Sequence, residues 1–272
     1  MKKFLFILPH PDDGEVLTPH MIQHALREGN LVIQHLACCD EYGTTIDEWK
    51  GNKIRNMRKK EMENAASVTY NEIFQKTKNL KSNITIQPIR LIWGSYIDGH
   101  VPFNKESIEY YKNLIISEKP DIVFIPDPFF PIGTHHDHIN TGYSSYFALK
   151  SLHISERPKI MLMYQSFKPN RSVEWADPEI KFKARMSHRN QWSELEMKIL
   201  DKFEKIIMRS NKYRFKNVEP YRKFSFEQSD HLPKTFLDKV LVAMITKTVK
   251  PGRPTPRRFL PTPEELKKMG RL

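Results

Sequence analysis

Short apolar runs alternate with amphipathic stretches along most of the chain. FLFIL at residues 4–8 carries no polar side chain, which is the pattern of a strand buried on both faces. LVIQHLAC at 31–38, residues 89–93, DIVFI at 121–125 and residues 159–164 read the same way. Between these runs, apolar residues recur three and four positions apart. That spacing predicts helices over 19–28, 53–68 (Ile54, Met57, Met62, Ala65, Ala66), 107–117 (Ile108, Tyr111, Leu114, Ile115) and 140–151. Two more helical patterns cover 178–187 and 193–208. Strands alternating with helices predict an α/β fold, a mostly parallel sheet flanked by helices. Near His231 the character changes. Residues 235–248 form one amphipathic stretch, and PGRPTPRRFLPTPEE at 251–265 is a poor core former suited to a linker, arm or strap. The chain therefore reads as a single domain over 1–229 with a basic, amphipathic and Pro/Arg-rich C-terminal extension over 230–272.

Composition adds bounds to this picture. A chain of 272 residues with 39% hydrophobic residues, 16 Phe and 10 Tyr can build a sizeable core. The formal charge of +12 suits an anionic partner, or a Lys-rich solvated surface, since it is spread along most of the chain. Its clearest concentration is the tail, where Lys250, Arg253, Arg257, Arg258, Lys267, Lys268 and Arg271 outnumber Glu264 and Glu265. No nucleic-acid reader motif accompanies the charge, so no nucleic acid is expected as a partner. Cys38 and Cys39 are adjacent, a poor geometry for a bridge, and no C-x-x-C spacing exists. Two reduced thiols point to a reducing compartment. The apolar run after Met-Lys-Lys stops at Pro9, short of the ~7–15 residues of a signal-peptide core. No stretch reaches the ~18 apolar residues of a membrane span. The expected location is cytoplasmic, with peripheral contact at the inner membrane face, or homo-oligomer packing, as uses for the tail.

Two polar clusters follow two of the buried strands: PHPDDGE (9–15) after the first, and THHDH (134–138), read as a loop, after DIVFI. Ligands bind in the crevice outside the carboxyl ends of strands in such sheets, so the clusters can converge. Taken singly, each is ordinary: an Asp-Asp pair caps turns and helices, and H-x-x-H spacings are common. Together they offer imidazoles and carboxylates, the ligand set that suits Zn²⁺. A catalytic zinc takes three protein ligands and keeps an open position, a number that His10, Asp13 and His138 supply. Asp12 is then left to act as general base on an attacking water. His135 could stabilise the oxyanion or protonate the leaving amine, and Asp137 could fix the tautomer of a neighbouring imidazole.

PHPDD with the later HHDH resembles the LmbE-like or PIG-L deacetylases, zinc-dependent hydrolases with a Rossmann-like fold that act on N-acetylglucosamine-type substrates. The resemblance implies one zinc per chain held by His10, Asp13 and His138, with Asp12 as general base and His135 as the imidazole that stabilises the transition state, Asp137 behind it. RKKEMENA (58–65) resembles the family's R-x-x-E-x-x-x-A helix, which implies that Arg58 contacts substrate, although an intrahelical pair with Glu61 is the plainer use of that arginine. Asp98 in SYIDGH resembles the acidic residue that holds sugar hydroxyls. KARMSHRNQW (183–192) resembles a late A-x-x-x-H-x-x-Q segment. The likeness is good over 1–192, looser to about 229 and absent beyond.

The chain departs from the family pattern in two places. Leu17-Thr18-Pro19-His20 replaces a glycine pair, and His136 stands where a proline is frequent. Glu15 reads as a supporting residue, His20 and His100 as surface or rim residues, and the two cysteines as core or rim thiols. The implied function is hydrolysis of an acetamido sugar, lipid-linked or polymer-linked in some relatives, to acetate and a free amine. Loops around 40–52, 95–106 and 165–192 would set which sugar is cut. The alternative is a catalytically altered member that uses its basic tail to bind an acidic membrane surface or a glycan-assembly complex.

Overall fold

The computed structural model describes residues 1–79, 84–132, 135–207, 209–210, 216–227, 232–248 and 260–272. Its centre is β1 (Lys3–Leu8), whose residues Phe4 to Leu8 are all buried. β1 pairs in parallel with β2 (Leu31–Leu36) on one side and β4 (Ile122–Pro126) on the other. β3 (Arg90–Trp93) joins β2, and β5 (Ile160–Tyr164) joins β4, also in parallel. Side chains alternate along β1. Phe4, Phe6 and Leu8 enter one core with Phe124, Leu162 and Tyr164, and Leu5 and Ile7 enter the other with Val123, Ile125 and Met163. Phe6 and Phe124 stack with centroids 4.3 Å apart.

Helices cover both faces, which is why these strands lack the polar alternation of a half-exposed sheet. α2 (Pro19–Arg27) supplies Ile22, Ala25 and Leu26 to the first core, and α3 (Asn52–Asn79) supplies Ile73. α4 (Lys105–Glu118) brings Tyr111 and Ile115 to the second, and α5 (His136–Ser151) brings Tyr146, Ala148 and Leu149. α3 is longer than its apolar spacing predicts. α1 (Asp13–Leu17) is a short helix directly after the first polar cluster.

Beyond β5 the sheet becomes antiparallel. β8 (Lys216–Phe224) pairs with β5, with β6 (Arg171–Glu174) and with the short β7 (Arg209–Ser210). The strand order is β3-β2-β1-β4-β5-β8-β6. The extension was not foreseen because β8 hides its burial behind charged residues. Arg222 is buried against Asp127 at 2.8 Å, and Glu219 is buried accepting the His20 and Met21 amides, both at 2.9 Å.

α6 (Pro178–Arg185) and α7 (Glu194–Ile207) match the predicted helices closely. Past residue 229, α8 (Phe236–Thr248) places Val242 against the second core, and α9 (Pro263–Lys268) buries Leu266 beside Tyr42. Part of the Pro/Arg-rich stretch is thus folded onto the body. Lys250, Arg253, Arg257 and Arg258 lie outside the described residues. Among the described residues, no helix is long and apolar enough to cross a membrane.

Candidate metal centre

The strand order reverses between β1 and β4, and a ligand crevice opens where it does. Both polar clusters lie there. Just past β1, the Asp12 and Asp13 amides turn back to the His10 carbonyl at 3.1 and 3.4 Å, and the His10 amide donates to Asp13 Oδ2 at 2.8 Å. This knot aims both side chains into the crevice. Asp12 is the N-cap residue of α1 but makes no capping hydrogen bond, so the Asp-Asp pair is not explained by helix capping. Its Oδ2 accepts instead from Trp192 Nε1 at 3.3 Å.

The second cluster is not a loop. His136 to His138 form the first turn of α5, and His135 is its N-cap, with Nδ1 accepting the Asp137 amide at 3.3 Å. An N-cap histidine that accepts through Nδ1 carries its proton on Nε2 when neutral.

Ligand atoms of three residues converge from the two clusters. His10 Nδ1 lies 3.3 Å from His138 Nε2 and 3.6 Å from an Asp13 carboxylate oxygen, and His138 Nε2 lies 3.4 Å from the other. Zinc bonds of ~2.0–2.2 Å at tetrahedral angles put ligand atoms roughly 3.3–3.6 Å apart. The donor set therefore fits a tetrahedral ion. His10 Nε2, on the far side of the ring, faces Asp137 Oδ2 at 3.2 Å and Asp98 Oδ1 at 3.4 Å. Those carboxylates take its N–H and turn the Nδ1 lone pair toward the centre. Asp137 is itself fixed, accepting the Gly99 amide at 2.6 Å and the Val101 amide at 3.1 Å. The imidazole its carboxylate orients is that of His10, whereas sequence reasoning set it behind His135.

Charge follows the same geometry. Burial alone would lower the pKa of His10, but the carboxylates of Asp13, Asp137 and Asp98 oppose it, and the pKa is raised well above the ordinary value. Burial would raise Asp13, yet His138 and His10 hold it below the usual carboxylate range. His138 falls below 6.5 because burial exceeds the pull of Asp13.

A cavity of about 400 Å³ opens over these groups, lined among others by Asp12, Asp98, Tyr42, His135, Gln165 and Trp192. All three loops expected to set specificity contribute to it. Asp40 and Gln165 line it with left-handed backbones, φ 54° and 57°. Non-glycine residues there store strain, which collects at binding sites. Tyr42, Gln165 and Trp192 were missed as individual residues. Only the turn-like composition of DEYG at 40–43 gave any signal of them.

Several expectations are corrected. Arg58 was expected to contact substrate, but it is fully buried and does not line the cavity. It donates to Asp40 at 2.8 Å, Glu61 at 2.6 Å and the Pro11 carbonyl at 2.7 Å, and also to Gln191. Burial opposes its charge, but Asp40, Asp12 and Glu61 raise its pKa further. The Pro11 contact makes it a bolt beneath the loop that carries Asp12. The late segment closes round the same bolt: His188 Nδ1 lies 3.2 Å from Arg58 Nη1, and His188 Nε2 lies 3.5 Å from Glu15. His20 is not at a rim. It is buried against Trp175, its Nδ1 accepts the Ala176 amide at 3.1 Å, and burial first, then Lys181 and Arg185, push its pKa down to about 2. Both thiols are fully inside. Cys38 donates to the Pro9 carbonyl at 3.2 Å, and burial pushes its pKa well up, which disfavours the thiolate a metal needs. His136 is buried and takes no part in the cluster of His10, Asp13 and His138.

This fold and site define a metal-dependent amide hydrolase of the de-N-acetylase type. The chain belongs to the PIG-L family, GlcNAc-PI de-N-acetylase, whose model matches residues 5–148. It is 26% identical over 208 residues to a diacetylchitobiose deacetylase of Thermococcus kodakarensis, covering 71% of this chain and 72% of that one. The solved N,N′-diacetylchitobiose deacetylase of Pyrococcus horikoshii, complexed with an inhibitor, superposes with a TM-score of 0.71 at 25% identity, covering 87% and 88% of the two chains. The hydratase GalB of Pseudomonas putida shares the fold at 12% identity and a TM-score of 0.63, covering 85% and 99%. One fold thus carries different chemistries, and the reaction must be argued from the site.

Proposed function

We propose that the chain is a zinc-dependent deacetylase that hydrolyses the acetamide of an N-acetylglucosamine-type sugar to acetate and a free amine. The observation that carries this reading is the convergence of His10 Nδ1, His138 Nε2 and the Asp13 carboxylate, at 3.3–3.6 Å, with the carboxylate of Asp12 on the wall of the same cavity. When bound, zinc supplies a Lewis acid for the amide carbonyl and lowers the pKa of water from 15.7 towards roughly 7.

The remaining work belongs to this chain's own residues. His10, Asp13 and His138 hold the ion, and Asp137 keeps His10 in the ligating tautomer. Asp12 accepts the proton of the attacking water, and that proton passes to the departing nitrogen as the C–N bond breaks. His135 presents an Nε2 proton to the developing oxyanion. Asp98, at the cavity wall, accepts from a sugar hydroxyl. Arg58 acts as a positioning residue, through the Pro11 carbonyl and the carboxylates around it.

The relatives named above are deacetylases of diacetylchitobiose, which supports a chitobiose-type sugar as the first substrate to test. The vestigial-binding alternative is not favoured, because every ligand and base position of the motif is filled. A free-amine assay over N-acetylglucosamine, N,N′-diacetylchitobiose and a lipid-linked acetamido sugar, with zinc added or chelated, tests the reading. Amine released from at least one of them, lost on chelation and restored by zinc, is the expected result. Turnover that survives complete chelation overturns the metal assignment, and no turnover on any of them overturns the substrate class.

A further inference from the structure

Residues 260–272 pack against the loop at 42–52, whose Tyr42 lines the candidate pocket. Tyr42 Oη donates to the Pro261 carbonyl at 2.5 Å, and Lys50 Nζ donates to the Leu260 carbonyl at 2.8 Å. The Asn52 amide donates to the Arg271 carbonyl at 2.6 Å, and Arg271 returns bonds to the carbonyls of Lys50, at 3.1 Å, and Asp47. Leu266 on α9 is fully buried in a small apolar cluster with Tyr42, Ile97 and Leu272. Thr262 and Glu265 cap α9 reciprocally, so this short helix holds its own shape.

Gly51 carries an independent mark of the same contact. Its φ is +98°, and a Cβ there would stand 2.2 Å from the Arg271 carbonyl oxygen. Only glycine permits that backbone conformation and that approach. The loop is therefore built to receive the C-terminal segment.

What the segment holds is part of the catalytic pocket. Tyr42 lines the cavity, stacks on His100 at 5.9 Å, and donates its amide to Asp98 Oδ2 at 3.3 Å. The Asp98 amide in turn donates to Glu41 Oε2 at 2.9 Å. The strap, the Tyr42 loop and the Asp98 turn form one connected unit.

We propose that residues 260–272 are a positioning strap that fixes Tyr42 as a specificity-determining wall of the pocket, so that the seating of the sugar ring depends on the far end of the chain. The inference rests on the deacetylase reading for its substrate, though not for its mechanics. The phenol is anchored outward on Pro261, and the ring is left to bound the space beside Asp98. Loosening the strap lets the ring and Asp98 drift, which weakens substrate binding. His10 follows β1, Asp13 opens α1 and His138 lies on α5, away from the strap, and Asp137 still holds His10 Nε2 at 3.2 Å if Asp98 shifts.

The test uses full-length L266A, G51A and Y42F, with L266M as the conservative control. For each, zinc content, steady-state kinetics on N,N′-diacetylchitobiose and amide hydrogen exchange of residues 41–52 are measured. Expected in the first three is a KM raised about fivefold or more with kcat within about twofold, the signature of lost uniform binding. Zinc content stays at wild type, exchange over 41–52 rises with little change elsewhere, and L266M behaves as wild type. Unchanged exchange over 41–52 in both L266A and G51A overturns the strap. Raised exchange with an unchanged KM in L266A and Y42F overturns its role in specificity. Should the wild type release no amine from any acetamido sugar, the deacetylase reading fails by itself, and the strap stands or falls on the exchange of 41–52 alone.

Discussion

His10 and Asp137, 127 positions apart in the chain, meet with Nε2 and Oδ2 separated by 3.2 Å. The contact fixes which nitrogen of His10 faces its partners His138 and Asp13. Asp137→Asn offers the ring a neutral amide instead of a carboxylate and weakens that preference. Partners of this kind typically set metal affinity by ~10–100-fold. A chelator competition assay should show zinc affinity falling in that range, with the loss of activity largely recovered at saturating zinc. An unchanged affinity would remove Asp137 from the metal centre.

Asp12 gives the complementary result. Asp12→Asn keeps the hydrogen bond from Trp192 but cannot take a proton, and it should lower kcat by ~10²–10⁴-fold. Zinc stoichiometry and melting temperature should stay at wild type. Retention of full activity on an accepted sugar would end the general-base assignment.

Arg58→Lys should act on stability. The fork of Arg58 serves Asp40, Glu61 and the Pro11 carbonyl at once, and a single ammonium cannot reproduce it. Leaving buried carboxylates without their partner costs ~3–5 kcal/mol. Urea unfolding should report a loss of that order. A variant as stable as wild type but with a raised KM would return Arg58 to the substrate.

Metal uptake should depend on pH with a definite sign. Without the ion, burial lowers the pKa of His10, but the carboxylates of Asp13, Asp137 and Asp98 raise it above 6.5 overall, which favours an extra proton on the ring. Ligation requires a bare Nδ1, so that proton leaves on binding. Affinity should therefore climb with rising pH and decline in acid. Titration calorimetry in buffers of different ionisation enthalpy measures the released proton directly, and zero net release contradicts the assignment.

Glu219 tests the antiparallel extension. Burial pushes its carboxyl up to about 7 from 4.5, against the bonds from Tyr221, His20 and Met21. A raised folded-state pKa contributes stability that is complete below about 4.5 and is lost as pH climbs through about 7, on the order of 3 kcal/mol in all. Unfolding free energy should thus decline between pH 5 and 8, and Glu219→Gln should flatten that slope while lowering stability overall. An identical slope in the variant would clear Glu219 of the effect.

The parallel half of the fold was legible because strands buried on both faces leave unbroken apolar runs, as FLFIL and DIVFI do. The convergence of His10, Asp13 and His138 was legible because such residues cannot be placed cheaply at a strand end without a use. The antiparallel half was not, because Glu219 and Arg222 pay for burial with partners distant in sequence. The hold of Arg58 on the Pro11 carbonyl was not legible, because an arginine one turn from a glutamate looks alike whether it meets a ligand or a loop carbonyl. Tyr42 was legible only as part of the 40–52 loop, since its hold on Pro261 and Leu266 joins residues more than two hundred positions apart.

The adjacency of β1 and β4 also constrains how the protein comes into being. Lys3 to Leu8 leave the ribosome early, yet their neighbour Ile122–Pro126 and the ligand His138 emerge only after more than a hundred further residues. A nascent chain halted earlier holds His10 and Asp13 but not His138. Such distant pairings are slow to form, because the intervening loop must close before any contact rewards it. A metal held by His10, Asp13 and His138, as proposed, would therefore find its full ligand set only once the two halves of the parallel sheet have joined.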